Sequence, residues 1–238
     1  MHPYLDSALP HVLAHQGLAL DVQPNSVAAF TAALKAGADY IETDAHGTKD
    51  GVAVLFHDDD IDGRAISSLC AAELPDFVPT VRETLEKFPH TKFNIDIKNA
   101  EASIPVAAVI NELNAHDRVL LTSFDAHRRK ATMALAPGTA SSPSVSEFAP
   151  ALFAGLCGQK WLVKKFLRNF DTIQIPARAL GLSIVSPRLV KMYHSAGVKV
   201  HVWTINDPQE MEELINNGVD GVVTDRTDLA VHELKTSG

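Results

Sequence analysis

Charged side chains stand at the ends of apolar runs in the stretch IETDAHGTKDGVAVLFHDDD, residues 41–60. Glu42 and Asp44 close one run, and His57 closes the run VAVLF. A charge that is buried without a partner at such a place costs several kcal/mol of folding free energy. Because side chains alternate faces along a strand, Glu42 and Asp44 point the same way, so the two carboxylates can serve one ligand.

A third carboxylate, Asp96, and an ammonium group, Lys98, repeat this spacing in NIDIK. Three carboxylates at one spot raise each other's pKa unless a cation lies between them. Because every ligand in this set is an oxygen, the set favours a hard ion, Ca²⁺ or Mg²⁺, over zinc. The alternative is that the carboxylates cap helices or pair with Lys49, Lys98 or Arg64.

Two histidines also follow apolar runs: His15 ends HVLAH, and His57 follows VAVLF. Two imidazoles beside a metal ion can supply a general base and a general acid near neutral pH. A single histidine at a strand end is more often structural, and the chain has 11 histidines in all, which makes such placements by chance easier. The recurrence of carboxylates and histidines at strand ends favours a catalytic set.

Strand and helix patterns alternate along the chain, which argues for βα units and a parallel sheet. Strands are predicted at residues 11–15, 39–44, 52–58, 92–98, 118–124, 171–176, 198–205 and 219–225, with a weak one after the helical segment 125–136. Further helices are predicted at residues 25–38, 78–88, 104–115, 144–156, 160–170, 186–197 and 207–218, with a closing helix after residue 225.

About eight strands with interleaved helices favour a (β/α)8 TIM barrel, an α/β fold in which residues 1–238 form a single domain with a short cap segment. An open doubly wound sheet is the alternative. In a barrel the carboxyl ends of the strands converge on one site, so residues remote in sequence can meet there. The candidates are His15, Glu42, Asp44, Asp96 and Lys98.

Composition and charge argue against several other classes of protein. Hydrophobic residues make up 46% of the chain and charged residues 21%, which is typical of a folded globular protein. The formal net charge of −8 disfavours nonspecific binding to nucleic acid or to an anionic membrane. Without a signal-like N-terminus or a membrane-spanning apolar run, we expect a cytoplasmic location and no stable membrane insertion.

The two cysteines, Cys70 and Cys157, lie far apart and lack the spacing of a metal site. They are predicted to be free, buried thiols.

The chain resembles the glycerophosphodiester phosphodiesterase family from about residue 11 to residue 228, most weakly between about 130 and 170. The resemblance rests on HVLAHQG, NSVAAFTAALKAGADYIETDAHGTKDGVAVLFHDD, VPTVRETL, FNIDIK, LLTSFD and VHVWTINDPQEMEELINNGVDGVVTD, which stand in the order expected of that family. It implies a TIM-barrel hydrolase that cleaves the phosphodiester of a glycerol-like alcohol and uses one divalent metal ion.

Residue roles follow from the same resemblance. It implies that His15 and His57 are the acid/base pair, that Glu42, Asp44 and Asp96 are the metal ligands, that Lys98 faces the phosphate, and that Trp203 lies near the alcohol portion. The alternative for Trp203 is a residue that only packs inside the barrel.

The chain departs from the family pattern at the phosphate. The family usually has an arginine after its first histidine, where a guanidinium can bind phosphate with two hydrogen bonds. Here that substrate-binding position is Gln16, which carries no charge. Phosphate binding is then expected to depend more on the metal and Lys98, with Lys49 or Arg64 as further candidates.

Three more departures concern the substrate. The family's PENT reads QPNS, so Pro24 replaces a glutamate while Asn25 is kept, and Asp96 replaces the more usual glutamate. The segment between His57 and VPTVRETL is short, so the cap is small and the site is expected to be more open. These changes affect substrate identity more than fold.

The leading hypothesis is metal-dependent hydrolysis of glycerophosphodiesters, small-molecule substrates, to glycerol phosphate and an alcohol. One alternative is phospholipase D-like activity on lysophospholipids, and another is a non-catalytic relative that binds a phosphorylated ligand. An apolar rim on the short cap, with ALFAGLCG (151–158) and WLVKKFL (161–167) nearby, would favour the lipid hypothesis. Helical spacing instead predicts that these apolar residues face the barrel. The sequence does not indicate an oligomeric state.

Overall fold

Eight parallel strands form the central sheet of the computed structural model, which describes residues 2–179 and 181–236. They are β1 (His11–His15), β2 (Tyr40–Gly47), β3 (Lys92–Ile97), β4 (Val119–Thr122), β5 (Ala140–Ser141), β6 (Thr172–Pro176), β7 (Lys199–Trp203) and β8 (Gly221–Thr224). Their order is β5-β4-β3-β2-β1-β8-β7-β6. This order follows the chain around a ring and does not reverse, as it would in a doubly wound sheet.

The two ends of this sheet, β5 and β6, approach each other through single hydrogen bonds. The Asp171 N–H donates to the Ser141 carbonyl over 3.1 Å, and the Ser141 N–H donates to Asp171 Oδ2 over 3.0 Å. The Gln174 N–H donates to the Ser142 hydroxyl over 3.1 Å. The fold is therefore a near-closed barrel of eight parallel strands with helices between them, and the predicted TIM barrel is confirmed.

Helices surround the barrel. They are α1 (Val27–Ala36), α2 (Val81–Lys87), α3 (Ser103–Glu112), α4 (Ala126–Leu135), α5 (Val145–Leu156), α6 (Lys160–Leu167), α7 (Pro187–His194), α8 (Pro208–Asn216) and α9 (Thr227–Val231). Short 3-10 helices lie at Pro3–Leu5, Ile66–Ser68, Ala71–Glu73, Ala100–Ala102 and His116–Arg118, and a π-helix at His232–Thr236. Helix α1 follows its predicted signals: the Ser26 hydroxyl accepts from the Ala29 N–H, and Gly37 ends the helix with φ of +100°.

One predicted strand, 52–58, has a different role from the one expected. Only Ala53–Leu55 is extended, and it pairs antiparallel with the end of β2, outside the barrel ring. The weak strand predicted after residue 136 takes its place in the barrel ring, where it forms β5. The cap that follows His57 contains the hairpin Asp60–Ile61 with Arg64–Ala65.

The barrel interior is filled at its amino-terminal end. Tyr4 and Leu5, from the first 3-10 helix, pack against Leu13, Tyr40 and other buried side chains inside the ring. His11 and His201 add a buried pair there, with ring nitrogens 3.0 Å apart. This end is closed by side chains, so an open site is left for the carboxyl ends of the strands.

Both cysteines are free, as predicted, but the expected burial is wrong. Cys157 is exposed because it lies in the turn after α5, and Cys70 is only partly buried in the cap. No helix within the described residues has the length and apolarity needed to cross a bilayer. The single-domain organisation over residues 1–238 stays a prediction.

Candidate active site

A cavity of about 420 Å³ opens at the carboxyl ends of the barrel strands. It brings together every site residue predicted from the sequence except Gln16, namely His15, Glu42, Asp44, His57, Asp96, Lys98 and Trp203. Gln16 does not line the cavity. It follows β1 in the left-handed region, with φ of +55°, and its N–H donates to the Glu42 carbonyl over 2.9 Å.

Strand register brings the acidic residues together. His15 on β1 lies opposite Glu42 on β2, and Asp44 lies opposite Asp96 on β3. Since Glu42 and Asp44 are two residues apart on one strand, all of these side chains face the inside of the barrel mouth. Glu42, Asp44 and Asp96 thus form the floor of the cavity, here called the carboxylate floor. The period-two spacing in the sequence predicts this grouping correctly.

Two of the carboxylates are buried with unsatisfied oxygens. Glu42 is 8% exposed and Asp96 is 5% exposed. Burial raises the pKa of Glu42 well above its usual range, and Asp44 raises it further. Burial likewise raises the pKa of Asp96, while Lys98 opposes the rise. Glu42 Oε2 and Asp96 Oδ1 accept no hydrogen bond in the described part of the chain.

Lys98 balances part of this negative charge. Its Nζ is 3.0 Å from Asp44 Oδ1 and 3.3 Å from Asp96 Oδ2. Burial disfavours the charged ammonium, but the two carboxylates outweigh burial and raise the pKa of Lys98. Lys98 therefore stays protonated, as a cation at the edge of the carboxylate floor.

Asn25 holds the central carboxylate in place. Its Nδ2 donates to Asp44 Oδ2 over 2.9 Å, and its Oδ1 accepts from the Thr43 hydroxyl over 2.6 Å. Asn25 itself lies at φ of +54°, a conformation that asparagine tolerates better than most residues. The asparagine of the QPNS stretch thus orients Asp44 for an incoming ligand.

His15 is oriented by a residue that follows the last barrel strand. Its Nδ1 donates to Asp225 Oδ1 over 2.7 Å, which leaves Nε2 on the side of Glu42, at 3.8 Å. Burial lowers the pKa of His15, but Asp225 and Glu42 outweigh burial and raise the pKa to about 9. Asn206 in turn donates to Asp225 Oδ2 over 2.8 Å.

His57 reaches the cavity from the cap rather than from a barrel strand. Its Nδ1 is 2.8 Å from Asp58 Oδ1, and its side chain is about half exposed. Each of the two histidines is therefore paired with a carboxylate through Nδ1, which leaves Nε2 for a substrate. Imidazoles held in this way suit acid/base chemistry.

The opposite wall of the cavity is apolar. Trp203 and Phe124 form an edge-on aromatic pair with ring centres 6.0 Å apart, and Phe124 is 60% exposed. Apolar side chains continue the wall: Phe148, Ala149, Leu152, Ile175 and Ile184. The prediction that the apolar residues of 151–158 and 161–167 face the barrel is wrong for Phe153 and Trp161, which are exposed because they lie on the outer faces of α5 and α6.

A second, polar cavity adjoins the first and shares His57, Asp96, Lys98 and Phe124 with it. It is also lined by Arg128, which belongs to α4. The Arg128 Nε is buried and lacks a hydrogen-bond partner in the described residues. Lys49 and Arg64, the cations suggested by the sequence, line neither cavity. Arg64 instead pairs with Glu73 in the cap.

The donors suit a hard cation although they are not arranged around one. Among residues 2–179 and 181–236, no three His, Cys, Asp or Glu side chains stand together closely enough to hold one ion. Glu42, Asp44 and Asp96 nevertheless offer only oxygen atoms, and two of those oxygens are buried without partners. Buried unsatisfied carboxylate oxygens are what a Ca²⁺ or Mg²⁺ ion would satisfy.

Comparison with known families assigns the chain to one of them. A model described as the glycerophosphoryl diester phosphodiesterase family matches residues 15–229. The chain belongs to this family. It is therefore an enzyme, a phosphodiesterase, and the predicted resemblance is confirmed.

Individual relatives support the assignment. A probable glycerophosphodiester phosphodiesterase of Mycobacterium tuberculosis is 37% identical over 234 residues, which cover 91% of this chain and 88% of that protein. A lysophospholipase D of Homo sapiens is 24% identical, with 90% of this chain and 82% of that protein covered.

Solved structures show the same barrel. A glycerophosphodiester phosphodiesterase from Agrobacterium tumefaciens has a TM-score of 0.79 and 21% identity, covering 97% of this chain and 100% of that one. A phosphodiesterase from Oleispira antarctica, solved in complex with the product sn-glycerol-3-phosphate, has a TM-score of 0.77 and 23% identity, covering 93% and 95%.

Three residues that line these cavities or contact their side chains were not singled out from the sequence. Asp225 follows GVVT at the end of β8, so the rule that flagged Asp44 would have flagged it too. Arg128 lies on a helix among other polar residues, and Phe124 follows β4, so local pattern alone does not mark either one. Their importance comes from the cavities they line.

Proposed function

We propose that the chain hydrolyses glycerophosphodiesters to glycerol phosphate and an alcohol, with His15 and His57 as the acid/base pair and a divalent cation, Ca²⁺ or Mg²⁺, held by Glu42, Asp44 and Asp96. The observation that carries the proposal is the pair of carboxylate-oriented imidazoles that face one floor of three buried carboxylates. The product complex of the Oleispira antarctica relative supports glycerol phosphate as one product.

When bound, the cation would neutralise oxygens of the phosphate group. One histidine accepts a proton from the water molecule that attacks phosphorus. As the new P–O bond forms, the bond to the leaving alcohol breaks, and the other histidine protonates the departing alkoxide. Asp225 and Asp58 hold the two rings so that Nε2 is available for these transfers.

Phosphate binding divides between two cations of the chain. Lys98 stands at the edge of the carboxylate floor, and Arg128 lines the adjoining polar cavity. With Gln16 outside the cavity, Arg128 is the guanidinium placed to bind the phosphate with directional hydrogen bonds. Trp203 and Phe124 face the carbon skeleton of the alcohol portion, where aromatic surface replaces water.

Lysophospholipids are a second candidate substrate class. The apolar wall formed by Phe148, Leu152 and Ile184 offers a surface for an acyl chain that a glycerophosphodiester lacks. The relative from Homo sapiens with this activity is consistent with that candidate. The hypothesis of a non-catalytic relative is not favoured, because both histidines and all three carboxylates line the cavity.

Turnover of a substrate panel tests the proposal. Glycerophosphocholine, glycerophosphoethanolamine and lysophosphatidylcholine would be supplied to chelated enzyme and to enzyme with Ca²⁺, Mg²⁺ or Mn²⁺ restored. We expect metal-dependent release of the alcohol that His15→Ala abolishes and His90→Ala, a change at an exposed histidine, preserves. Lack of turnover with every metal in folded protein, or full activity in His15→Ala, would refute the proposal.

A further inference from the structure

The charge of the chain is distributed very unevenly. Residues 148–206 contain eight Lys and Arg residues and one acidic residue, Asp171, so this segment has a formal net charge of +7 in a chain of −8. The rest of the chain therefore carries −15. Overall net charge hides a basic region that an anionic partner can recognise.

Helix α6 concentrates part of this charge around an exposed tryptophan. Trp161, Lys164, Lys165 and Arg168 recur at spacings of three and four residues, so they share one face of the helix and its C-terminal end. All four are exposed, and Trp161 is 63% exposed. None of the three cations pairs with a carboxylate within the described residues.

Helix α5 leads from the cavity to this region. Val145, Ala149 and Leu152 line the cavity, and Phe153 and Leu156 extend the same apolar stripe along the helix. Val145 is 62% exposed, Phe153 71% and Leu156 44%. A stripe of exposed apolar side chains of this kind marks an interaction surface rather than a packed core.

The two helices form one continuous outer region. Ala151 and Ala154 of α5 and Val163 and Leu167 of α6 pack in the same core cluster, and the Gln159 N–H donates to the Ala154 carbonyl across the turn between them. Their inner faces are thus anchored to the barrel. Their outer faces have no packing partner in the described part of the chain.

We propose that these outer faces, defined as the α5–α6 surface (Phe153, Leu156, Trp161, Lys164, Lys165 and Arg168), dock on an anionic lipid bilayer. Aromatic and aliphatic side chains that enter the headgroup region, flanked by lysine and arginine, are the features of a surface that binds lipid interfacially. The basic charge selects anionic lipids, because it attracts their headgroups over a Debye length.

Docking in this way would place the mouth of the catalytic cavity beside the bilayer, since the stripe on α5 begins at the cavity wall. The proposal goes beyond the reaction itself: it assigns a partner to a surface that has no contact with the carboxylate floor. Water-soluble substrates test the reaction, whereas vesicles test the surface, so the two proposals can fail separately.

Cosedimentation of the full chain with vesicles tests the proposal. We expect binding to vesicles of phosphatidylcholine and phosphatidylglycerol, weakened by salt, and little binding to phosphatidylcholine alone. The double variant Lys164→Glu/Lys165→Glu should weaken binding by about tenfold or more, since each cation near an anionic surface contributes substantially. The control Lys35→Glu/Lys87→Glu makes the same change in net charge at exposed sites elsewhere and should bind as the wild type does.

The apolar part of the surface has its own control. Phe153→Ser should weaken vesicle binding, whereas Ile104→Ser, a change at a residue 72% exposed on α3, should not. In a Trp203→Phe background, the fluorescence of Trp161 should shift to shorter wavelength when anionic vesicles are added, because the ring leaves water.

Several results would overturn the proposal. These are an absence of vesicle binding, equal binding to neutral and anionic vesicles, or equal losses in the Lys164→Glu/Lys165→Glu variant and its control. Binding to an acidic protein without binding to vesicles would assign the surface to a protein partner and also refute lipid docking. Circular dichroism spectra and melting temperatures close to those of wild type show that the variants are folded.

Discussion

Arg128 offers the sharpest test of how this enzyme binds phosphate when position 16 is a glutamine and not an arginine. Its Nε is buried and lacks a hydrogen-bond partner among the described residues, and its nearest carboxylate, that of Asp125, lies 3.8 Å away. The side chain lines the polar cavity and is 29% exposed, so the guanidinium can meet a ligand there. The perturbation is Arg128→Met, which keeps much of the side-chain volume and removes the charge.

The expected loss of activity in Arg128→Met depends on how far solvent screens the Arg128 side chain. A hydrogen bond to a charged group contributes about 1.5 to 3 kcal/mol, and the Arg128 side chain is 29% exposed, so partial solvent screening puts the expected loss near the lower end. About 1.4 kcal/mol is a tenfold change in rate or binding, so kcat/KM should fall by about tenfold. If Arg128 binds ground state and transition state equally, the change appears in KM.

The assay is initial-rate hydrolysis of glycerophosphocholine with Ca²⁺ or Mg²⁺ added. Gln16→Arg, made in the Arg128→Met background, should recover part of the loss if both positions serve the phosphate. Arg82→Met is the matched control, because the ion pairs of Arg82 within the described residues are with surface carboxylates of α2 and α3. An Arg128→Met enzyme with kcat/KM within about twofold of wild type would refute this account of phosphate binding.

Two further predictions concern the histidines. Asp225→Asn removes the carboxylate that accepts a hydrogen bond from His15. By analogy with other residues that orient an imidazole, we expect kcat to fall by about 10- to 100-fold while the melting temperature changes little. An unchanged kcat would show that His15 does not need Asp225 to orient it. His201 is fully buried, and burial lowers its pKa to about 3, with His11 adding to the effect. Since the unfolded chain takes up this proton near pH 6.5, the contribution of His201 to stability should fall as pH decreases towards 3, by about 2 kcal/mol between pH 7 and pH 5. In urea unfolding, the free energy of unfolding of wild type relative to His201→Gln should decrease by that amount over this range, and a difference that does not change with pH would contradict a neutral buried His201.

The carboxylate floor was predictable because a strand is a local, periodic object. Spacings of two residues placed Glu42 with Asp44 and Asp96 with Lys98 on common faces, and the end of each apolar run located them at the barrel mouth. The helix signals around Ser26 and Gly37 were equally local, since each depends on one capping hydrogen bond or one backbone conformation.

Features that depend on exposure were not predictable in this way. Periodicity groups Phe153 with Leu156 on one side of α5, but it does not say whether that side meets the barrel or water. The strand at 52–58 was misassigned for a related reason: its alternation fits any sheet edge, and only the pairing with β2 shows that it lies outside the ring.

The sequence by itself therefore determined the features that depend on neighbouring residues: the βα alternation, the carboxylates at strand ends, and the motifs of a phosphodiesterase family. Contacts between distant residues needed the closed barrel. Pairing of β1 with β8 brings His15 to Asp225, 210 residues away, and the packing of α4 beside β4 brings Arg128 to the polar cavity. Such contacts depend on strand register and on the geometry of barrel closure, which arise from the whole set of packed side chains and not from any single segment.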